Sequence, residues 1–165
     1  MRSLICLVFL ASPVMAQELP FSPDATEACL AQAEDRGARE ACIGRSAEAC
    51  YSREGVYSNY AIGICFGAEA DYWDVRLNTV YTELIKAETA MLKEMNDIGA
   101  TVPDTVTALR EMQRAWIPYR DAACWYEYTT WGGGSGGGPA NAACLMHETG
   151  RQALELEMRL GERAQ

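Results

Sequence analysis

Apolar residues recur every three or four positions along three stretches of this chain. From Glu69 to about Met95 the apolar set is Trp73, Leu77, Val80, Tyr81, Leu84, Ile85, Met91, Leu92 and Met95, with Asp74, Arg76, Glu83, Lys86, Glu88, Lys93 and Glu94 between them. That period predicts an amphipathic helix. Gly99 should stop it, and Pro103-Asp104 suits the first turn of a second helix, where a missing N–H costs nothing and a carboxylate meets the positive end of the dipole. The second helix is expected to run through Leu109, Met112, Gln113, Trp116 and Arg120 toward Cys124, with Pro118 kinking or dividing it. A third should start near Pro139 and use Ala143, Leu145, Met146, Thr149, Ala153, Leu154, Leu156 and Leu160, weakened locally by Gly150.

The region before Glu69 reads as a helical hairpin. Ser22-Pro23-Asp24 can open a helix carrying Cys29 and Leu30, Gly37 should break it, and Arg39 onward should resume it with Cys42, Ile43 and Cys50. Tyr51 to Ile64 shows no helical period and is expected to be a loop. The expected fold class is therefore all-α, an antiparallel helical bundle or set of hairpins.

Cysteine usage sets the expected compartment. Met1-Arg2, the mostly apolar run from Ser3 to Val14, and Val14-Met15-Ala16 form a leader with a cleavage point after Ala16. Its apolar run is too short to span a bilayer, and no membrane insertion is expected. Cleavage removes Cys6 and leaves six cysteines, an even number that suits a periplasmic or secreted disulfide framework. Fifteen pairings are possible. Spacing favours Cys29 with Cys42 across the hairpin, Cys50 with Cys65 around the loop, and Cys124 with Cys144 at the base of the glycine-rich run. Each closed loop restricts the unfolded chain by on the order of 3 kcal/mol. A zinc site would want close cysteine pairs such as C-x-x-C, which do not occur, so neither metal nor cofactor is expected. The expected organisation is a leader at 1–16, a Cys-rich extension at 17–65 and a helical domain at 66–165, the last two forming one compact unit.

Charge narrows the partners. Without Arg2 the chain has 13 basic against 23 acidic residues, a net charge of −10. Nucleic acid and anionic membrane surfaces are repelled by that balance, whereas a basic partner is not. The run Gly132 to Gly138, broken by Ser135, has no following Lys-Ser or Lys-Thr and so does not read as a phosphate loop. It is expected to be a flexible connector between antiparallel helices. Catalysis has little to stand on: His147 is the sole histidine, expected to be exposed or capping, and no serine sits in a nucleophile elbow. A glycosidase-like carboxylate pair would need Glu127 and Glu148 to lie together beside the Cys124 to Cys144 bridge. The chain is expected not to be an enzyme.

Gln113, Trp116, Arg120 and Cys124 fall on one helix face, which should pack against the Trp73 helix as a buried Trp with its Arg held by Asp121, Asp74 or Glu69. The run from Gln113 to Cys124, with its Q-x-x-W-x-x-Y-R-D-x-x-C core, the glycine-rich loop, and Cys144 followed by Thr149 and Arg151 resemble the lysozyme inhibitor LprI-like N-terminal domain family. Glu69, Trp73, Asp74, Leu77, Asn78, Tyr81 and Leu84 resemble that family's first long helix. The likeness spans about Cys65 to Leu160, with Cys29 to Cys65 as an N-terminal extension. Two positions depart from the pattern: Pro118 replaces a helix-tolerant residue, and Gln152 stands where an Arg usually follows the Thr. The resemblance implies binding and inhibition of a basic lysozyme in the cell envelope. Contact candidates are Trp131, Ser135, Glu127 and Glu148 near the glycine-rich tip. The alternative partner is a peptidoglycan fragment or another exported protein, met by Trp125, Tyr126, Tyr128 and Trp131.

Overall fold

A computed structural model describes residues 21–53 and 56–163. The expected leader, its cleavage point and Cys6 lie outside the described residues. Within them the chain forms six helices and no strand: α1 (Asp24–Leu30), α2 (Arg36–Glu40), α3 (Arg45–Tyr51), α4 (Asn59–Asp97), α5 (Thr105–Thr129) and α6 (Gly137–Arg163). The all-α, disulfide-stapled class expected from the sequence is the one observed.

The long helices begin and end on local chemistry. Ser58 caps α4 by accepting from the Ala61 N–H at 3.1 Å, and Asp104 caps α5 by accepting from Thr107 N–H at 2.9 Å. At the far end of α4, Gly99 takes φ +76°, its N–H donates to the Asn96 carbonyl, and the Ala100 N–H donates to the Met95 carbonyl. These are the paired bonds of a Schellman stop, which needs a left-handed residue that glycine supplies without strain.

Burial on α4 falls on Cys65, Glu69, Trp73, Leu77, Val80, Leu84 and Glu88, a stripe of four- and three-residue steps. α6 buries Met146, Thr149, Ala153, Leu154 and Leu156. Asn59 meets Ser135, Gly63 lies against Pro139, and Arg163 reaches Glu88, so α4 and α6 run parallel over their length as the principal pair. Helix α5 returns antiparallel to α6, buries only Val106, Leu109 and Cys124, and is the peripheral member.

Several boundaries differ from expectation. Tyr51 to Ile64 is not a loop throughout, because Ser58 starts α4 at Asn59 and places Cys65 on the helix. Gly37 does not break the N-terminal region: it sits inside α2, whose cap is Asp35 accepting from Ala38 N–H at 2.8 Å. The chain breaks instead at 31–35, before Gly37, and again at Gly44, at φ +98°, so the hairpin becomes three short helices. Pro118 does not divide α5, which is continuous through it. Pro118 lies on an exposed face, so the Arg114 carbonyl it leaves without a helical donor has solvent nearby.

The three disulfides join Cys29 to Cys42, Cys50 to Cys65 and Cys124 to Cys144, with Cα separations of 5.5, 5.7 and 5.3 Å. The first ties α1 to the residues after α2, the second ties α3 to α4, and the third ties α5 to α6. Among the described residues no helix is long and apolar enough to cross a membrane, and no group of three or more His, Cys, Asp or Glu side chains is placed to hold a metal ion.

Candidate functional site

Glu69 is fully buried at the junction of the N-terminal helices with α4. One carboxylate oxygen accepts from the Thr26 hydroxyl at 2.9 Å, the Gly44 N–H at 2.7 Å and the Trp73 indole N–H at 3.1 Å. The other accepts from the Ala47 N–H at 2.6 Å. Thr26 and Ser46 complete the cluster reciprocally, each hydroxyl accepting the other's backbone N–H at 3.0 Å. A charge removed from water is tolerable when its lone pairs are filled by fixed donors. Glu69 thus fastens α1 and α3 to α4. Gly44 contributes twice: its N–H is a donor, and its left-handed φ turns the chain toward Glu69 with Met146 and His147 packed close by.

His147 is half-buried beside this cluster rather than exposed or capping. Burial, and then the charge of Arg151, hold its pKa below the ordinary imidazole value against the opposing pull of Glu69 and Glu148.

The motif face of α5 meets α6, not the Trp73 helix. Arg120 donates to the buried Thr149 hydroxyl at 3.4 Å, Gln152 donates to Gln113 at 3.0 Å, Asn141 donates to the Cys124 carbonyl at 2.9 Å, and Cys124 is bridged to Cys144. The parallel α4–α6 pair holds the core, so α5 has the outer flank of α6 left to cover. Trp116 is accordingly half-buried, with the Arg120 guanidinium 5.0 Å from its ring centroid. Of the three carboxylates considered for Arg120, Asp121 holds it at 2.8 Å. Asp74 instead accepts from Asn78, and Glu69 belongs to the buried cluster. Arg151 pairs with Glu148 at 3.1 Å on the surface, and the buried Thr149 is reached by Arg120.

The antiparallel α5–α6 hairpin separates Glu127 from Glu148. Glu127 lies three residues beyond its bridge cysteine toward the turn and Glu148 four residues beyond its own in the opposite direction, so helix rise alone parts them by about 10 Å. Their backbones are therefore offset along the hairpin axis rather than placed side by side. The glycine-rich run is a structured turn rather than an open connector, and α6 starts at Gly137, two residues ahead of Pro139. Gly132 and Gly133 take positive φ, Trp131 lies directly over Gly136, and Tyr128 lies over Gly137. A Cβ at Gly136 would fall 2.2 Å from the Trp131 ring, so any larger residue there must displace that ring. Ser135 accepts from the Asn59 side chain at 3.0 Å, tying this turn to the start of α4.

A groove of about 560 Å³ runs along α4 and α6 and includes Glu27, Glu83, Glu157, Tyr72 and Arg76 among its lining, with Val75, Val80 and Leu160 as apolar floor. Glu157 binds Arg76 through two oxygens and also takes Arg39, and Tyr72 donates to Glu27 at 2.6 Å while accepting from Arg76 at 3.0 Å. Burial first, and then the Glu27 carboxylate, push the Tyr72 phenol up to about 12, so it remains a donor. Burial works against the Arg76 cation, yet the bonds and charge of Glu157 outweigh it and the net shift is upward. Sequence reading did not single out this groove. Tyr72 and Arg76 stand at helical i, i+4 spacing, which was a usable signal, but Glu27, Glu83 and Glu157 come from distant parts of the chain.

Comparison with known proteins places residues 50–156 within the family model described as Lysozyme inhibitor LprI. An uncharacterized protein of Rhizobium meliloti (strain 1021) is 35% identical over 102 residues, covering 61% of this chain and 72% of that protein. An uncharacterized 17.7 kDa protein of Rhodobacter capsulatus is 26% identical over 133 residues, covering 80% and 82%. No solved structure matches.

Proposed function

This chain belongs to the LprI lysozyme inhibitor family, and on that premise we propose that it binds and inhibits a basic lysozyme outside the cytoplasm. The family match over residues 50–156 is the observation that carries the reading. Charge supports it: a net −9 over the whole sequence attracts a basic protein and speeds encounter. The groove presents Glu83 over an apolar floor, beside Glu27 and Glu157 that Tyr72, Arg76 and Arg39 already engage, which suits the stem and cationic head of a lysine or arginine side chain. The hairpin tip, where Glu127 is the nearest carboxylate to Trp131 and Ser135, offers less to such a partner, and Glu148 is already paired with Arg151. Action is by occupation, with no bond made or broken by this chain.

The test is a cell-wall clearing assay. Oxidised mature protein should slow lysozyme at low ionic strength, and the effect should fade as salt shortens the screening length from about 10 Å at 0.1 M to about 3 Å at 1 M. Glu83→Lys should weaken inhibition. Undiminished clearing at a large excess of protein and low salt rules the reading out.

A further inference from the structure

One end of the molecule is almost uncharged. Residues 56–68 contain no Asp, Glu, Lys or Arg, and between residues 122 and 147 Glu127 is the single one, in a chain of net charge −9. This end gathers the start of α4, the end of α5 and the start of α6, and it is where aromatic rings are exposed: Tyr60 at 80%, Trp125 at 60% and Trp131 at 51%. Single exposed apolar residues are ordinary, but a contiguous set marks a binding surface.

The set is joined through the turn at Ser135, Gly136 and Gly137. Asn59 beside Tyr60 donates to Ser135, Trp131 covers Gly136 next to Ser135, Tyr128 covers Gly137, and Trp125 stacks on Tyr128 with centroids 4.9 Å apart and planes 10° from parallel. Two disulfides brace it, Cys50 to Cys65 and Cys124 to Cys144, so the rings sit on a scaffold ordered before any ligand arrives. Between Tyr60 and Pro139 lies a groove of about 240 Å³ that Asn59 also lines, room for one sugar ring.

Chemistry selects the occupant. A basic protein or cationic peptide would find a lone carboxylate here, while nucleic acid and anionic lipid are repelled by the acidic body around it. A neutral pyranose has C–H faces that rest on aromatic rings and hydroxyl or acetamide groups that exchange hydrogen bonds with Asn and Ser. We infer that this aromatic pole, centred on Tyr60, Trp131 and the Asn59–Ser135 pair, binds a neutral glycan of N-acetylhexosamine type. The inference goes beyond lysozyme inhibition and uses a different face from the carboxylate groove; together they would hold an inhibitor at the polymer its target degrades.

The test uses the oxidised protein without lysozyme. Titration with an N-acetylglucosamine tetrasaccharide, followed by tryptophan fluorescence, should saturate, with an affinity unchanged between low and high salt because the ligand is neutral. Trp131→Ala and Tyr60→Ala should each lower that affinity at least tenfold, while Tyr119→Ala, an exposed ring elsewhere on α5, should not. Purified peptidoglycan sacculi should retain the protein with the same dependence on Trp131. No saturable binding to either probe, or binding indifferent to Trp131 and Tyr60, overturns the inference. Ring-dependent capture by neutral liposomes, or ring-dependent self-association, in place of sugar binding also overturns it. Lysozyme inhibition without sugar binding sinks this inference and leaves the inhibitor reading standing; sugar binding without inhibition does the reverse.

Discussion

Glu69 and Glu88 sit near opposite ends of one buried stripe on α4, and the structure treats them differently. Glu69 is exposed to 0% and its two oxygens take four donors from α1, α4 and the segment around Gly44. Glu88, 6% exposed, takes Arg163 on one oxygen, and its other oxygen has no hydrogen-bond partner. The first carboxylate organises the fold around itself; the second holds the C-terminal end of α6 through Arg163 and leaves part of its desolvation uncompensated. What a buried charge contributes depends on how many of its lone pairs are filled.

The sharpest way to break this comparison is Glu69→Ala. Four donors would be left facing a cavity, and the loss should exceed about 3 kcal/mol. For a domain of this size that corresponds to a fall in Tm of roughly 10 °C, read by calorimetry. Glu69→Gln should cost less, about 2 kcal/mol, because the amide must turn an N–H toward a donor. A change below 1 kcal/mol in both would remove Glu69 from its organising role. Thr26→Val comes next at about 1–2 kcal/mol, since it strips one donor from Glu69 and the acceptor from the Ser46 N–H. Urea unfolding with an unchanged m-value would check it.

At the other end, Glu88→Leu should move stability by no more than about 1 kcal/mol in either direction, because burying an apolar side chain there offsets the lost Arg163 pair. A loss as large as that of Glu69→Ala would erase the contrast. The smallest effect concerns pH. His147 has a lowered folded pKa, so the unfolded chain binds its proton first as pH falls. Its contribution is complete above the unfolded value of about 6.5 and is lost as pH drops through the folded one. His147→Gln should therefore flatten the stability profile slightly below pH 6.5 and leave it unchanged at pH 8.

Much of this was legible in the residues. The α4 stripe could be read because its period is local, and the three bridges because short sequence separations left few sensible partners. The Gly99 stop followed from one glycine in the right place. The start of α4 was missed although Ser58 is a strong cap, because Tyr51 to Ile64 lacks an amphipathic period when α3, the loop and the first turns of α4 are read together. Gly37 and Gly44 look alike in sequence, and Asp35, a helix cap two residues before Gly37, was the sign that a helix restarts ahead of Gly37 and the first break lies before it.

Long-range geometry was not legible. Glu69 takes its donors from positions up to 43 residues away, so the chain around it gave no warning of a hub. The face of α5 carrying Gln113, Trp116 and Arg120 was readable as a face, but not that it would meet α6, since an apolar stripe names no partner. The grouping of Tyr60 with Trp131 likewise depends on α4 and α6 running parallel, which no spacing in the sequence announces.

The claim on which the functional account depends is that this stapled acidic bundle recognises lysozyme. Titration calorimetry of lysozyme into the oxidised protein tests it directly. The account predicts saturable binding at low ionic strength, weaker at high salt and weaker with Glu83→Lys. Absence of saturable binding at low salt, with the three disulfides intact, would contradict it.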